Sequence, residues 1–157
     1  MTTTASYDVE SNRHTFALNL IDFPPELERA TVGLVDRLCG VVPVWCRTLT
    51  IKFGDCDEDD SVAQCHVNQT YRFAVITIGS YFFSSDDADR CEYLLHELLH
   101  IATATLAEPV RSMIDDLTDD LPRATQKAMR TRLIDGLEQT VQDLTFAILP
   151  LITGDDA

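Results

Sequence analysis

Apolar and polar residues alternate most clearly within residues 45–53, where Leu49, Ile51 and Phe53 alternate with Thr50 and Lys52. This period of two predicts a strand with one buried face. Residues 62–67 and the β-branched and aromatic run 71–78 predict two further strands. Because only short turns separate the three, the economical arrangement is an antiparallel meander. Residues 14–21 alternate weakly, which favours an extended segment less strongly.

Four other stretches have the three- and four-residue apolar spacing of helices. They cover residues 24–40, about 88–107, 110–117 and 122–149. The second is predicted to end before Pro109, because a residue that precedes proline disfavours the helical conformation. The order of these helices and strands along the chain predicts an α+β domain. It has an N-terminal helix, a small antiparallel sheet of about three strands, a central helix and a long C-terminal helix.

A chain of 157 residues is long enough to bury a sizeable core as one domain. The sequence contains no internal repeat and no linker rich in glycine, proline or serine. We therefore predict a flexible N-terminus at residues 1–12, a single domain at residues 13–150 and an acidic tail at residues 151–157.

The net charge is strongly negative, at −14, from 26 acidic and 12 basic side chains. Such a surface repels phosphate backbones, so we expect no direct binding of nucleic acid. We interpret the acidic runs as solvated loops and helix starts. The run at residues 55–60 lacks the glycine and the terminal glutamate of an EF-hand calcium loop.

The cysteine pattern predicts free thiols in a reducing compartment. The cysteines are odd in number and lack C-x-x-C spacing, and they lie at positions Cys39, Cys46, Cys56, Cys65 and Cys91. The first residues lack the basic and apolar regions of a signal peptide, and the apolar runs are shorter than a membrane span. We therefore expect a cytoplasmic protein that does not bind membranes. A second zinc site at Cys56, Cys65 and His66 fits no usual ligand spacing, so buried thiols are favoured.

The central predicted helix carries the motif H-E-x-x-H, from His96 to His100. Residues four apart lie on one helical face, so both imidazoles can reach one metal ion. About 0.005 chance matches to this motif are expected at this composition, which makes a metal site the favoured interpretation. Glu97 lies about 100° around the helix from the first histidine. Its carboxylate is therefore predicted to lie beside a metal-bound water, in the general-base position of a metallopeptidase.

A catalytic zinc ion takes three protein ligands and leaves one position for water. The pattern with a third histidine six residues after His100 is absent, because position 106 is leucine. His66 is a possible ligand, although a turn or surface role is favoured for it. Glu138 is the preferred candidate, because it lies along the apolar flank of the last helix and burying an unpaired carboxylate is costly. The alternatives that remain open are Glu108, Asp115 and Asp116.

Several other residues are candidates for supporting roles. Glu92 lies one turn before His96 and is predicted either to support that ligand or to form an ordinary surface pair. The strand end at residues 78–80 is a candidate for hydrogen bonding to an extended peptide. The sequence does not choose among three possible oxyanion donors, which are Tyr71, Tyr81 and Tyr93.

These motifs resemble the zincin metallopeptidases whose third zinc ligand is a glutamate, and more narrowly the small zincin-like proteins of phages and prophages. The resemblance rests on Trp45-Cys46 at the start of a strand, on residues 94–100 and on the late segment 138–144. It spans about residues 40–149. The candidate glutamate lies 38 residues after the last histidine, a longer interval than in thermolysin-like enzymes, whose late E-x-x-x-D motif is missing.

The resemblance implies that His96, His100 and Glu138 bind zinc and that Glu97 is the catalytic base. It implies a zinc-dependent metallopeptidase that hydrolyses a peptide bond with a zinc-bound water activated by Glu97. The expected partner is a peptide or protein substrate, in the host cytoplasm if the chain is phage-encoded. The alternative is a non-proteolytic zinc-binding interaction or regulatory protein that retains the site. The small size of the chain favours this alternative, whereas the intact Glu97 favours the enzyme.

Overall fold

A mixed sheet forms the centre of the computed structural model, which describes residues 4–11, 13–56 and 62–154. Within these residues the strands are β1 (Thr4–Glu10), β2 (Thr15–Ile21), β3 (Thr48–Phe53), β4 (Ala63–Asn68) and β5 (Phe73–Ile78). The helices are α1 (Pro25–Leu38), α2 (Ser80–Ser84), α3 (Asp87–Thr118) and α4 (Arg123–Thr153). The predicted acidic run and acidic tail lie in part outside the described residues, at positions 57–61 and 155–157.

The prediction of a small antiparallel sheet of about three strands is wrong, because the sheet has five strands in the order β1-β2-β3-β5-β4. The inner strands β2, β3 and β5 are parallel, and the edge strands β1 and β4 are antiparallel to their neighbours. A meander would place β4 in the middle, but Ala63 is its only buried residue. By contrast, β3 and β5 carry fully buried apolar residues that suit inner positions.

The N-terminal part of the sheet was largely missed by the hydrophobic pattern. The extended segment predicted at residues 14–21 is confirmed as β2, in which Phe16, Leu18 and Leu20 are buried. The preceding β1 occupies most of the segment predicted to be a flexible N-terminus, and it pairs with β2 along its whole length. Only Val9 is buried in β1, so its sequence lacks the apolar alternation that predicts a strand. The predicted N-terminal helix therefore follows two strands.

The hydrophobic core joins the sheet to α1 and to the first half of α3. One side of α3 is buried, through Cys91, Leu94, Leu95, Leu98, Leu99 and Ile101. In contrast, α4 buries only Val141 and Thr145. The contacts of α3 with β4 and α4 place this helix between the sheet edge and the last helix.

The prediction that the central helix ends before Pro109 is wrong, because α3 continues to Thr118. Proline removes one backbone donor, which leaves the carbonyl of Thr105 without its usual helical partner. The contact between α3 and α4 opposes this local cost. The separate helix predicted at residues 110–117 is therefore the last part of α3. No helix in the described ranges is long and apolar enough to cross a membrane.

Gly136 lies in the interior of α4, where a Cβ atom would meet nothing within 4 Å. We expect Gly136→Ala to raise the free energy of unfolding by about 1 kcal/mol, because alanine loses less backbone entropy in a helix. Urea denaturation followed by circular dichroism measures this change. As a control, Gly154→Ala should be destabilising, because the residue that caps α4 has φ of 75°. A destabilising Gly136→Ala would contradict the uninterrupted helix.

Candidate metal centre

Two helices bring together a group of three possible metal ligands. The Nε2 atoms of His96 and His100, on one face of α3, lie 3.1 Å apart. Glu138, on α4, places its Oε2 atom 3.5 Å from Nε2 of His96 and 3.4 Å from Nε2 of His100. No other group of three histidine, cysteine, aspartate or glutamate side chains with this proximity occurs in the described part of the chain.

Local structure explains why these side chains meet. Asp86 caps α3 by accepting a hydrogen bond of 2.9 Å from the backbone N–H of Asp89, and acidic residues in the first turn suit the helix dipole. The buried leucines of α3 hold the helix against the core, so the half-buried histidines face the other way. On α4, Val141 is fully buried one turn after Glu138. This anchor keeps the carboxylate beside α3.

The spacing of the three ligand atoms fits a tetrahedral ion. Metal–ligand bonds of about 2.0–2.2 Å at tetrahedral angles separate ligand atoms by about 3.3–3.6 Å. The two distances from Glu138, 3.4 and 3.5 Å, lie within this range, and the 3.1 Å between the imidazole nitrogens is slightly shorter. Burial lowers the pKa of His100, which favours the neutral imidazole that binds a metal. The group could therefore hold a metal ion, and its donor set suits zinc as well as other divalent transition metals.

Glu97 lies beside the ligand group without belonging to it. It is only 8% exposed, although it lines the same cleft as the three ligands. Burial raises its pKa to about 8, and the negative charge of Glu138 adds to this shift. A cation held by the ligand group would oppose the shift, because an adjacent positive charge favours the carboxylate form. The carboxyl group is thus placed to exchange a proton near the metal position.

A cleft of about 720 Å³ contains the ligand group and Glu97. One wall is formed by residues 63–70, which comprise β4 and the following turn. Because β4 is an edge strand, one of its sides has no neighbouring strand within the described sheet. The strand end at residues 78–80 was the predicted peptide-binding segment. However, β5 is paired on both sides, whereas β4 lies at the edge of the described sheet.

The ligand group includes none of the alternatives left open by the sequence, which are His66, Glu108, Asp115 and Asp116. Glu108 lines the cleft but lies 3.6 Å from Arg111 in an ion pair. Asp115 accepts a 2.8 Å hydrogen bond from Arg130. His66 is exposed on β4 and also lines the cleft. The second zinc site considered for Cys56, Cys65 and His66 is likewise not among the groups found in the described residues.

A smaller cavity of about 210 Å³ adjoins the ligand group on another side of His96 and Glu97. Glu92 and Tyr93 both line it. Tyr71 and Tyr81, the other candidate oxyanion donors, are largely exposed and line neither space. Sequence reasoning missed another lining residue, Gln142, which lies one turn after Glu138 on α4. Its helical spacing from the candidate ligand was the available signal.

Comparison with protein-family models, with curated proteins and with solved structures found no match to the chain. Two imidazoles and a carboxylate form a possible metal-binding group, a buried carboxyl group adjoins it, and a cleft along a sheet edge gives access to both.

Proposed function

We propose that the protein is a zinc-dependent metallopeptidase in which His96, His100 and Glu138 hold the zinc ion. The observation that carries this proposal is the approach of Glu138 within 3.5 Å of both imidazoles. Two histidines and a glutamate are a ligand set of catalytic zinc sites, which leave one position open. A metal site that only linked two helices would not require a buried carboxyl group beside its ligands, and burying such a group, as at Glu97, is costly.

In the proposed reaction, the metal ion and the protein have different roles. Zinc, when bound, polarises a substrate carbonyl and lowers the pKa of water to about 7. Glu97 accepts the proton of the attacking water and transfers it to the leaving amine. Its low exposure supports this role, because a proton carrier shielded from bulk water keeps the proton for the leaving group.

The edge strand β4 supports a peptide as the substrate class. An extended peptide can add to an edge strand through backbone hydrogen bonds, which provide affinity without a fixed sequence. The cleft volume of about 720 Å³ lies within the usual range of about 300–1,000 Å³ for ligand sites. This volume counters the argument that so small a domain has no room for substrate. We therefore favour the enzyme over a non-proteolytic zinc-binding protein.

Metal analysis of protein purified with zinc tests the proposed ligands. We expect about one zinc ion per chain in the wild type and loss of that ion in His96→Ala and Glu138→Ala. Loss of a supporting outer residue already weakens zinc binding about 10- to 100-fold, so loss of a ligand should weaken it further. The measurements are elemental analysis and competition with a chromogenic chelator.

Two variants in the same cleft serve as matched controls for this experiment. His66→Ala and Glu108→Ala each remove a possible metal donor that lines the cleft but lies outside the ligand group. Both should bind zinc as tightly as the wild type. Unchanged zinc affinity in Glu138→Ala would overturn the assignment of the third ligand, and a wild type without zinc would overturn the proposed function.

A further inference from the structure

A separate cavity of about 300 Å³ lies between α1 and the segment formed by α2 and the start of α3. It shares no lining residue with the cleft of the metal centre. Leu34 and Phe82 are buried, Phe83 is half-buried, and all three form an apolar floor. The ring centroid of Phe83 lies 5.2 Å from that of Phe82 and 5.6 Å from that of Phe53. This aromatic packing holds the floor in a preformed shape.

Basic residues outnumber acidic residues in the lining of this cavity. Three arginines line the cavity, namely Arg29, Arg37 and Arg90, together with one acidic residue, Asp87. Arg37 and Asp87 neutralise each other in an ion pair of 3.0 Å. Arg90 uses Nε to donate to the backbone oxygen of Asp86. Of the three arginines, only Arg37 forms an ion pair with a side chain that the structure describes.

The local charge contrasts with the rest of the molecule. The chain has a net charge of −14 and only 12 basic residues, yet three of the 12 border this one cavity. Neither Arg29 nor Arg90 forms an ion pair with any side chain that the structure describes. Arginines without acidic partners beside an apolar surface are suited to a ligand with a planar anionic head.

Gly33 keeps the cavity open at the surface of α1. A Cβ atom at this position would meet nothing within 4 Å, and its φ lies outside the left-handed region. Neither close packing nor backbone conformation therefore requires glycine here, although glycine weakens a helix. Access to the cavity is a physical reason for leaving this position without a side chain.

We propose that this cavity binds a small organic anion with an apolar body and a single carboxylate or phosphate head. The apolar body would lie on Leu34, Phe82 and Phe83. The head would accept hydrogen bonds from the guanidinium groups of Arg29 and Arg90, which are stronger when both groups are charged. The volume lies at the lower end of the range for small-molecule sites, which selects a small ligand. This binding is independent of the proposed zinc chemistry.

Octanoate is the probe for the first experiment, with titration calorimetry and amide NMR shifts as readouts. We expect saturable binding in the millimolar range or tighter, with shifted amides at Thr31, Gly33 and Phe83. Octanol lacks the charge and octylammonium reverses it, so both should bind at least about tenfold more weakly. Inorganic phosphate tests the head alone and should also bind more weakly, because it buries no apolar surface. Absence of saturable octanoate binding, or equal binding of octanol, would overturn the proposal.

Substitutions of Arg29, Arg90 and Gly33, which line the cavity, provide a second, independent test. Arg29→Gln combined with Arg90→Gln should weaken octanoate binding about tenfold or more, whereas Arg132→Gln, on an exposed face of α4, should leave it unchanged. Gly33→Leu should block the cavity, and Gly136→Leu is its matched control in another helix. Zinc content and circular dichroism should be unaltered in all of them. If Arg132→Gln weakens octanoate binding as much as the substitutions of Arg29 and Arg90 do, the anion does not bind specifically in this cavity.

Discussion

Glu97→Gln is expected to abolish peptide hydrolysis while the protein retains about one zinc ion per chain. Glutamine has nearly the shape of glutamic acid but cannot accept a proton, and general-base catalysis contributes typically about 10²–10⁴-fold to a rate. We therefore expect kcat to fall by about 1,000-fold. Cleavage of denatured casein or of a fluorogenic peptide library measures activity, and elemental analysis measures the metal.

Glu10→Gln is a suitable control for this experiment, because it makes the same chemical change at an exposed position of β1. It should leave both activity and zinc content unchanged. Equal activity of Glu97→Gln and the wild type would exclude Glu97 as the base. A wild type that binds zinc but cleaves no peptide would instead support the non-proteolytic alternative.

Removal of the metal is expected to destabilise the protein, chiefly by releasing α4. Only Val141 and Thr145 are buried in this 31-residue helix, and the other side chains that pack on the core all lie in its second half, namely Leu144, Ile148, Leu149 and Ile152. An ion shared by Glu138 and α3 would therefore add a connection beside the first half of α4, which has no side chain in the core. A ligand present at 1,000 times its Kd stabilises the native state by about 4 kcal/mol. For a chain of this size, that loss corresponds to a fall in Tm of roughly 10 °C.

Thermal unfolding with and without a chelator measures this effect, and hydrogen exchange locates it. Exchange should accelerate more in α4 than in the inner strands of the sheet, and added zinc should restore both measurements. Glu138→Gln is the control, since its Tm should not respond to the chelator. If chelation removes the metal from the wild type without lowering Tm, the ion does not hold α4 in place.

The sheet shows that a hydrophobic pattern predicts individual strands but not the order in which they pair. The alternation of residues 45–53 and 71–78 predicted strands, and the structure confirms them as β3 and β5. Their mutual pairing was not predictable from loop length alone, because it depends on which strands carry fully buried apolar residues. The polar residues of β4 exclude it from the middle, so β4 lies at the edge and lines the cleft.

In the candidate metal centre too, some relations follow from local sequence spacing and others depend on the tertiary structure. Helical periodicity by itself determined that His96 and His100 share a face and that Glu97 lies beside them, because these relations are local. Glu138 was one of several acidic candidates, 38 residues later in the chain. Only the packing of α4 on α3, anchored by Val141, brought this carboxylate and not its alternatives to the imidazoles. Local spacing thus determined two candidate ligands and the neighbouring carboxyl group, whereas long-range packing decided the third candidate ligand and the cleft that surrounds it.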